Sequence, residues 1–135
     1  VTPHPGEASR LASVTTSEIE ADRVRWAREL AERIAGVVVL KGAGTVIASS
    51  CNDGPPCICA GGNPGMATGG MGDVLAGLIG ALVGQSLSMM EASALGVAAH
   101  ARAGDLAWER YGVGLTASDV ADGLGVVLSC TGSSA

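Results

Sequence analysis

The chain predicts an α/β protein, and three features of the sequence carry that expectation. A long amphipathic helical pattern stops at Gly36 and gives way to Val37-Val38-Val39-Leu40. Such an unbroken, largely β-branched run forms a strand buried on both faces. A hairpin pattern follows across Asn52-Asp53-Gly54-Pro55-Pro56, and the rest of the chain is helical. Helix, buried strand, hairpin and then helices is an α/β order. A strand buried on both faces needs parallel neighbours, and this chain has few to offer. It therefore reads as the C-terminal part of a larger α/β domain, over residues 1–130.

Each element has a local reason. Pro3 and Pro5 keep residues 1–5 in a loop, and a short helix is expected over 6–13. Ser17 and Glu20 match a capping box that opens a helix reaching Ile34. Ile19, Trp26, Ala27, Leu30, Ala31 and Ile34 recur along it at helical spacing, so that stripe should be buried. Glu18, Glu20, Asp22 and Glu29 read as a solvated face. After the buried strand, Lys41-Gly42-Ala43-Gly44 turns the chain, and strands are expected over 45–48 and 57–60. Helices follow over 72–85 and 88–111, and a last one begins at Ser118 with Asp119 in its first turn, where an acidic group is favourable. Residues 131–135 should fray.

Composition narrows the function. The 135 residues are 47% hydrophobic and 16% charged, which argues for a folded domain. The net charge of −5, with no Lys/Arg cluster, removes any electrostatic footprint for nucleic acid. The apolar run from Val74 to Val83 is shorter than the roughly 18 residues of a membrane span. Aromatic residues make up only 2%, so the core must be aliphatic, with helices meeting over small residues. Gly77, Gly80, Gly84 and Gly96 are expected to mark such close approaches, since each costs about 1 kcal/mol against Ala within a helix. Cys51, Cys57, Cys59 and Cys130 lack zinc-site spacing and read as free thiols of a cytoplasmic protein. No signal-peptide pattern is visible.

The stretch Gly62-Asn63-Pro64-Gly65-Met66-Ala67-Thr68-Gly69-Gly70-Met71-Gly72-Asp73 runs directly into an apolar helix. Glycines let backbone N–H groups approach an anion, and the first helical turn adds unpaired donors and a partial positive charge. Phosphate is the natural guest, and Asp73 stands where it would arrive. Two readings of Asp73 compete, a helix N-cap and a base that aligns an attacking hydroxyl. Within the loop, the N–H groups of Gly70, Met71 and Gly72 are the candidates to hold charge developing on a transferred phosphoryl group. His4 is open between a loop histidine bonded to backbone and a ligand contact. His100, among alanines in a helix, reads as a structural partner, and Met66, Met71, Met89 and Met90 as packing residues.

Three motifs in this order, TPHPGE (2–7), LKGAGTVI (40–47) and GNPGMATGGMGDVLAG (62–77), resemble the NAD(P)H-hydrate dehydratases, from Val1 to about Leu128. The resemblance implies a ribokinase-like three-layer α/β fold, present here as its C-terminal part. It implies dehydration of hydrated NADH or NADPH at the expense of ADP or ATP, with Mg²⁺. Thr2, Pro3, His4, Pro5, Gly6 and Glu7 should contact the hydrated nicotinamide, which Asp73 should face as the catalytic residue. Lys41, Gly42, Ala43, Gly44 and Thr45 should touch the adenine nucleotide. So should Asn63, Pro64, Gly65, Met66, Ala67, Thr68, Gly69, Gly70, Met71 and Gly72. No protein-held metal site is implied; a homo-oligomer is expected of the full-length protein, and in many bacterial members of the family an epimerase domain is fused upstream. The alternatives are a ribokinase-like kinase of a small alcohol or vitamin precursor, and an inactive fragment of the dehydratase. The kinases lack TPHPGE and KGAGT in this form.

Overall fold

A computed structural model describes residues 1–51 and 54–131. They divide into two compact units, Val1–Ala60 with Ser88–Ala94, and Gly61–Leu87 with the residues from Leu95 onward.

In the first unit, helix α1 (Pro5–Ala12) begins at His4. Helices α2 (Thr16–Ala21) and α3 (Arg23–Ile34) follow, and then an antiparallel sheet in the order β1-β2-β3, formed by Val37–Leu40, Thr45–Ser49 and Cys57–Cys59. Val37 pairs with Ser49 and Leu40 with Val46. On its other side β1 is bonded to the chain's first residues: Val1 N–H donates to Val37 O, Val39 N–H to Val1 O and Lys41 N–H to Pro3 O. That alternation is the pattern of a parallel pair. The expected parallel neighbour is thus supplied, over these residues, by an extended stretch that forms no regular strand.

All four residues of β1 are buried. Val38 and Leu40 join Ile19, Trp26, Ala27, Leu30 and Ala31 in one hydrophobic cluster, completed by Ala8, Ala12, Val46 and Ala48. The stripe expected on the long helix is therefore correct up to its last member. Ile34 is exposed, because the chain leaves the helix immediately after it through Ala35 in the left-handed region.

The expected helix start at Ser17 is corrected. Thr15 is the N-cap, accepting from Glu18 N–H at 3.2 Å, and the Glu18 carboxylate accepts from Thr15 N–H at 2.9 Å. The sequence holds two overlapping boxes, Thr15 with Glu18 and Ser17 with Glu20, and tertiary contacts select the first. Ile19 is fully buried in that register, and Trp26 Nε1 donates to Glu18 O at 2.9 Å. Nor is the helix continuous. Asp22 (φ −148°, ψ 75°) ends α2 and caps α3 by accepting from Arg25 N–H. Thr15→Ala should lower stability by about 1 kcal/mol, as N-cap removal does, while Ser17→Ala should be close to neutral in thermal melts. Equal losses would place the cap elsewhere.

The second unit holds α4 (Met71–Gly84) and α6 (Ala117–Thr131), with α5 (Met89–Tyr111) entering it at Leu95. Short 3₁₀ turns at Pro64–Met66 and Gly112–Gly114 were not expected. Met71, Leu75, Leu78, Ile79 and Leu82 form the buried face of α4. Gly96 meets the expectation of close approach, since a Cβ there would lie 2.8 Å from Ile79 Cγ1. Gly77, Gly80 and Gly84 do not. They lie away from that buried face, and a Cβ on any of them would meet nothing within 4 Å among the described residues. No described helix is long and apolar enough to cross a membrane. Residues 132–135 of the expected tail, and Asn52 and Asp53 of the expected hairpin turn, lie outside the described residues, as does the Cys130 side chain. Cys51, Cys57 and Cys59 are free thiols.

Candidate active site

The residues singled out in the sequence fall into two groups, one in each unit. In the first unit, Thr2 to Glu7 lie beside the end of β1. His4 has extended backbone and caps α1, its Nδ1 accepting from Gly6 N–H at 3.1 Å and Glu7 N–H at 3.2 Å. Glu7 completes a capping box by accepting from His4 N–H at 2.7 Å. Because Nδ1 is the acceptor, a neutral His4 carries its proton on Nε2, which stands 3.4 Å from Glu7 Oε1. The His4 N–H holds the Glu7 carboxyl below its ordinary range; partial burial opposes this, and the Lys41 ammonium assists.

Lys41 Nζ reaches Glu7 Oε2 at 3.7 Å, and Lys41 N–H donates to Pro3 O at 2.8 Å. The first two motifs are therefore joined directly, by side chain and by backbone. The turn that follows needs its glycines, with φ at +138° for Gly42 and +69° for Gly44. Beneath it lies Arg23, the first residue of α3. Its Nη2 donates to Leu40 O at 3.0 Å and Lys41 O at 3.1 Å, and its Nη1 donates to Ala43 O. Burial lowers the Arg23 pKa, opposed by the charge of Glu20.

In the second unit, α5 holds the beginning of the glycine loop. Asp105 accepts from Asn63 Nδ2 at 3.0 Å and from Gly62 N–H at 3.3 Å, and Asn63 Oδ1 accepts from Gly65 N–H at 3.1 Å. Trp108 lies against Gly65 so closely that a Cβ there would fall 2.5 Å from its ring. Met66 fills the space above Gly104, where a Cβ would fall 2.3 Å from the Met66 sulfur. The loop then turns into α4 through Gly70, its N-cap, at φ +87°.

Asp73 is the third residue of α4 and not its cap, which removes the capping reading. Its N–H donates to Gly70 O, and its exposed carboxylate has no partner among the described residues. The N–H groups of Gly69, Gly70 and Gly72 likewise have no acceptor among the described residues, whereas Met71 N–H is directed at Thr68 O at 3.4 Å. Of the expected trio Gly70, Met71 and Gly72, Met71 N–H is thus engaged, and Gly69 N–H is free beside the other two. His100 is 7% exposed, with its Nε2 buried and without a partner among the described residues, and burial pushes its imidazole below the usual range, with the backbone of Met71 opposing.

Arg23, Asp105 and Trp108 escaped the reading of the sequence. Arg23 looked like one more charge on an amphipathic helix. Asp105 and Trp108 carry a weak signal: with Ala101 and Gly104 they sit at i, i+3, i+4 and i+7, one face of α5. Nothing local says that a loop lies on that face.

With this geometry in place, the comparisons are specific. The family model of NAD(P)H-hydrate dehydratase matches residues 1–124. The bifunctional NAD(P)H-hydrate repair enzyme Nnr of Escherichia coli is 50% identical over 121 residues, covering 89% of this chain and 23% of that protein. The Nnr of Thermofilum pendens is 52% identical over 112 residues, covering 83% of this chain and 21% of that protein. Among solved structures, the ADP/ATP-dependent NAD(P)H-hydrate dehydratase of Bacillus subtilis, co-crystallised with ATP/Mg²⁺, aligns with a TM-score of 0.86 at 34% identity, over 96% of this chain and 46% of its own. A ribokinase-like superfamily protein of Enterococcus faecalis aligns with a TM-score of 0.79 at 29% identity, over 96% of this chain and 43% of its own. The fold is therefore ribokinase-like α/β, and the chain spans about a quarter of these repair enzymes and about half of the solved relatives. It belongs to the NAD(P)H-hydrate dehydratase family.

Proposed function

We propose that the protein containing this chain dehydrates hydrated NADH or NADPH back to the dihydronicotinamide, using ADP or ATP, in the cytoplasm. The observation that carries this reading is the partner-free Asp73 carboxylate in the first turn of α4, beside the free N–H groups of Gly69, Gly70 and Gly72. Hydroxide is a poor leaving group, and phosphorylation of the hydrate hydroxyl turns it into a good one. Asp73 accepts the hydroxyl proton as the oxygen attacks the terminal phosphoryl group, which releases AMP from ADP or ADP from ATP. The loop N–H groups take the charge that develops on the phosphoryl oxygens. The ring nitrogen lone pair then expels phosphate, and loss of a ring proton restores the dihydronicotinamide.

Thr2 to Glu7 would receive the hydrated ring and Lys41 to Thr45 the nucleotide. The link between Lys41 and Glu7 supports a shared edge for these two ligands. Asp73 is the only carboxylate in residues 62–73. So sparse a set of carboxylates suits Mg²⁺ arriving with the nucleotide, an ion that keeps several waters and binds substrate phosphates. The ion would offset the charge that repels the nucleophile.

The assay is direct. Incubating the complete polypeptide with hydrated NADH and either nucleotide should restore dihydronicotinamide absorbance. Accumulation of a phosphorylated small alcohol without that recovery would favour the kinase reading, and no recovery with either nucleotide removes the dehydratase reading.

A further inference from the structure

We propose that Arg23 is a positioning residue for the nucleotide site, one that sets the Lys41–Gly44 turn so that its N–H groups face the ligand. The inference rests on the reading that this turn receives the nucleotide. The carbonyls of Leu40, Lys41 and Ala43 all accept from one guanidinium. A peptide's C=O and N–H point in opposite directions, so drawing the Lys41 and Ala43 carbonyls towards Arg23 turns the N–H groups of Gly42 and Gly44 away from it. Neither N–H has an acceptor among the described residues. Between the Lys41 and Ala43 carbonyls, that of Gly42 is taken by Thr45 Oγ1 at 3.2 Å. With the carbonyls of Lys41, Gly42 and Ala43 engaged and the N–H groups of Gly42 and Gly44 free, the turn can offer backbone donors to an anion.

Two further observations bind Arg23 to this role. A Cβ on Gly42 would lie 3.0 Å from Arg23 Nη2 and 3.2 Å from Cζ, so the turn is seated closely on the guanidinium. The Arg23 Nε is buried without a partner. Leaving that donor unmet costs free energy, yet the planar fork is held where its other nitrogens reach the turn. A lysine ammonium is a point charge and cannot span these carbonyls in the same plane. Arg23→Lys is therefore not a conservative change here.

The test measures steady-state kinetics of the complete polypeptide carrying Arg23→Lys, with Lys41→Ala alongside. Arg23→Lys should raise the nucleotide KM about tenfold, with kcat and the KM for the hydrated dinucleotide within about threefold; a factor of ten corresponds to about 1.4 kcal/mol. A fall in kcat with unchanged nucleotide KM would mean only a smaller folded fraction and would overturn the proposal. If Lys41→Ala raises the nucleotide KM and Arg23→Lys does not, the turn binds nucleotide but Arg23 does not position it. If neither variant changes it, the reading of the turn fails together with the proposal. Should Arg23→Lys not fold, amide hydrogen exchange of the unsubstituted protein decides. Gly42 and Gly44 should exchange freely alone and slow at least tenfold with saturating ADP or ATP. Unchanged exchange would overturn the proposal.

Discussion

Asp73→Asn in the complete polypeptide is expected to lower kcat by about 10²- to 10⁴-fold, the usual contribution of a positioned general base. The nucleotide KM should stay within a few-fold of the parent's. The structure separates these effects. The Asp73 carboxylate makes no hydrogen bond among the described residues, so no loop contact depends on its charge, and the turn is closed by the backbone bond from Asp73 N–H to Gly70 O. Asparagine has the same shape and keeps that bond. Gly70 occupies the N-cap, so removing the carboxylate leaves the cap untouched and the melting temperature should stay close to the parent's. What asparagine lacks is a basic oxygen that can take up the hydroxyl proton, since its amide oxygen can only accept a hydrogen bond. Equal turnover by the variant would end the catalytic assignment, whereas a large rise in nucleotide KM with preserved kcat would make Asp73 a binding residue.

The sequence shows this site unevenly, for physical reasons. The glycine loop and α4 are legible because their causes are local: glycines free the backbone, and an apolar period begins immediately afterwards. The order of helix, buried strand and hairpin is legible for the same reason. The start of α2 was misplaced because Thr15-x-x-Glu18 and Ser17-x-x-Glu20 are equivalent as local signals. The burial of Ile19 and the bond from Trp26 Nε1 to Glu18 O decide between them. Gly77, Gly80 and Gly84 have nothing against them among the described residues: spacing shows that a helix face is small and not what lies against it. The supports of the site were invisible for a related reason. Arg23 acts on carbonyls 17 to 20 residues away, and Asp105 on groups 42 and 43 residues away. In each case a side chain meets the backbone of a distant turn, and no periodicity records such a contact.

That dependence on distant supports makes Gly65→Ala the second substitution with a large expected effect. Gly65 has no positive φ, so alanine suits its backbone, and the penalty comes entirely from space. The added methyl would fall 2.5 and 2.6 Å from the Trp108 ring and 3.1 Å from Asn63 Oδ1. Either the ring or the loop must move. Overpacking of this kind costs about 1–3 kcal/mol. The loop is fastened to the same face of α5 through Asp105, so a displaced Gly65 carries Asn63 with it and disturbs the approach to the phosphate-binding N–H groups. Misplacement by about 1 Å can cost 10²-fold in rate, and kcat/KM for the nucleotide should fall towards that extent. Trp108→Leu in the Gly65→Ala background separates clash from chemistry. Leucine removes the ring atoms that the methyl meets, so the double variant should regain a substantial part of the lost stability and activity, with a favourable coupling between the two sites. Additive losses would show that Trp108 does not confine the loop at Gly65.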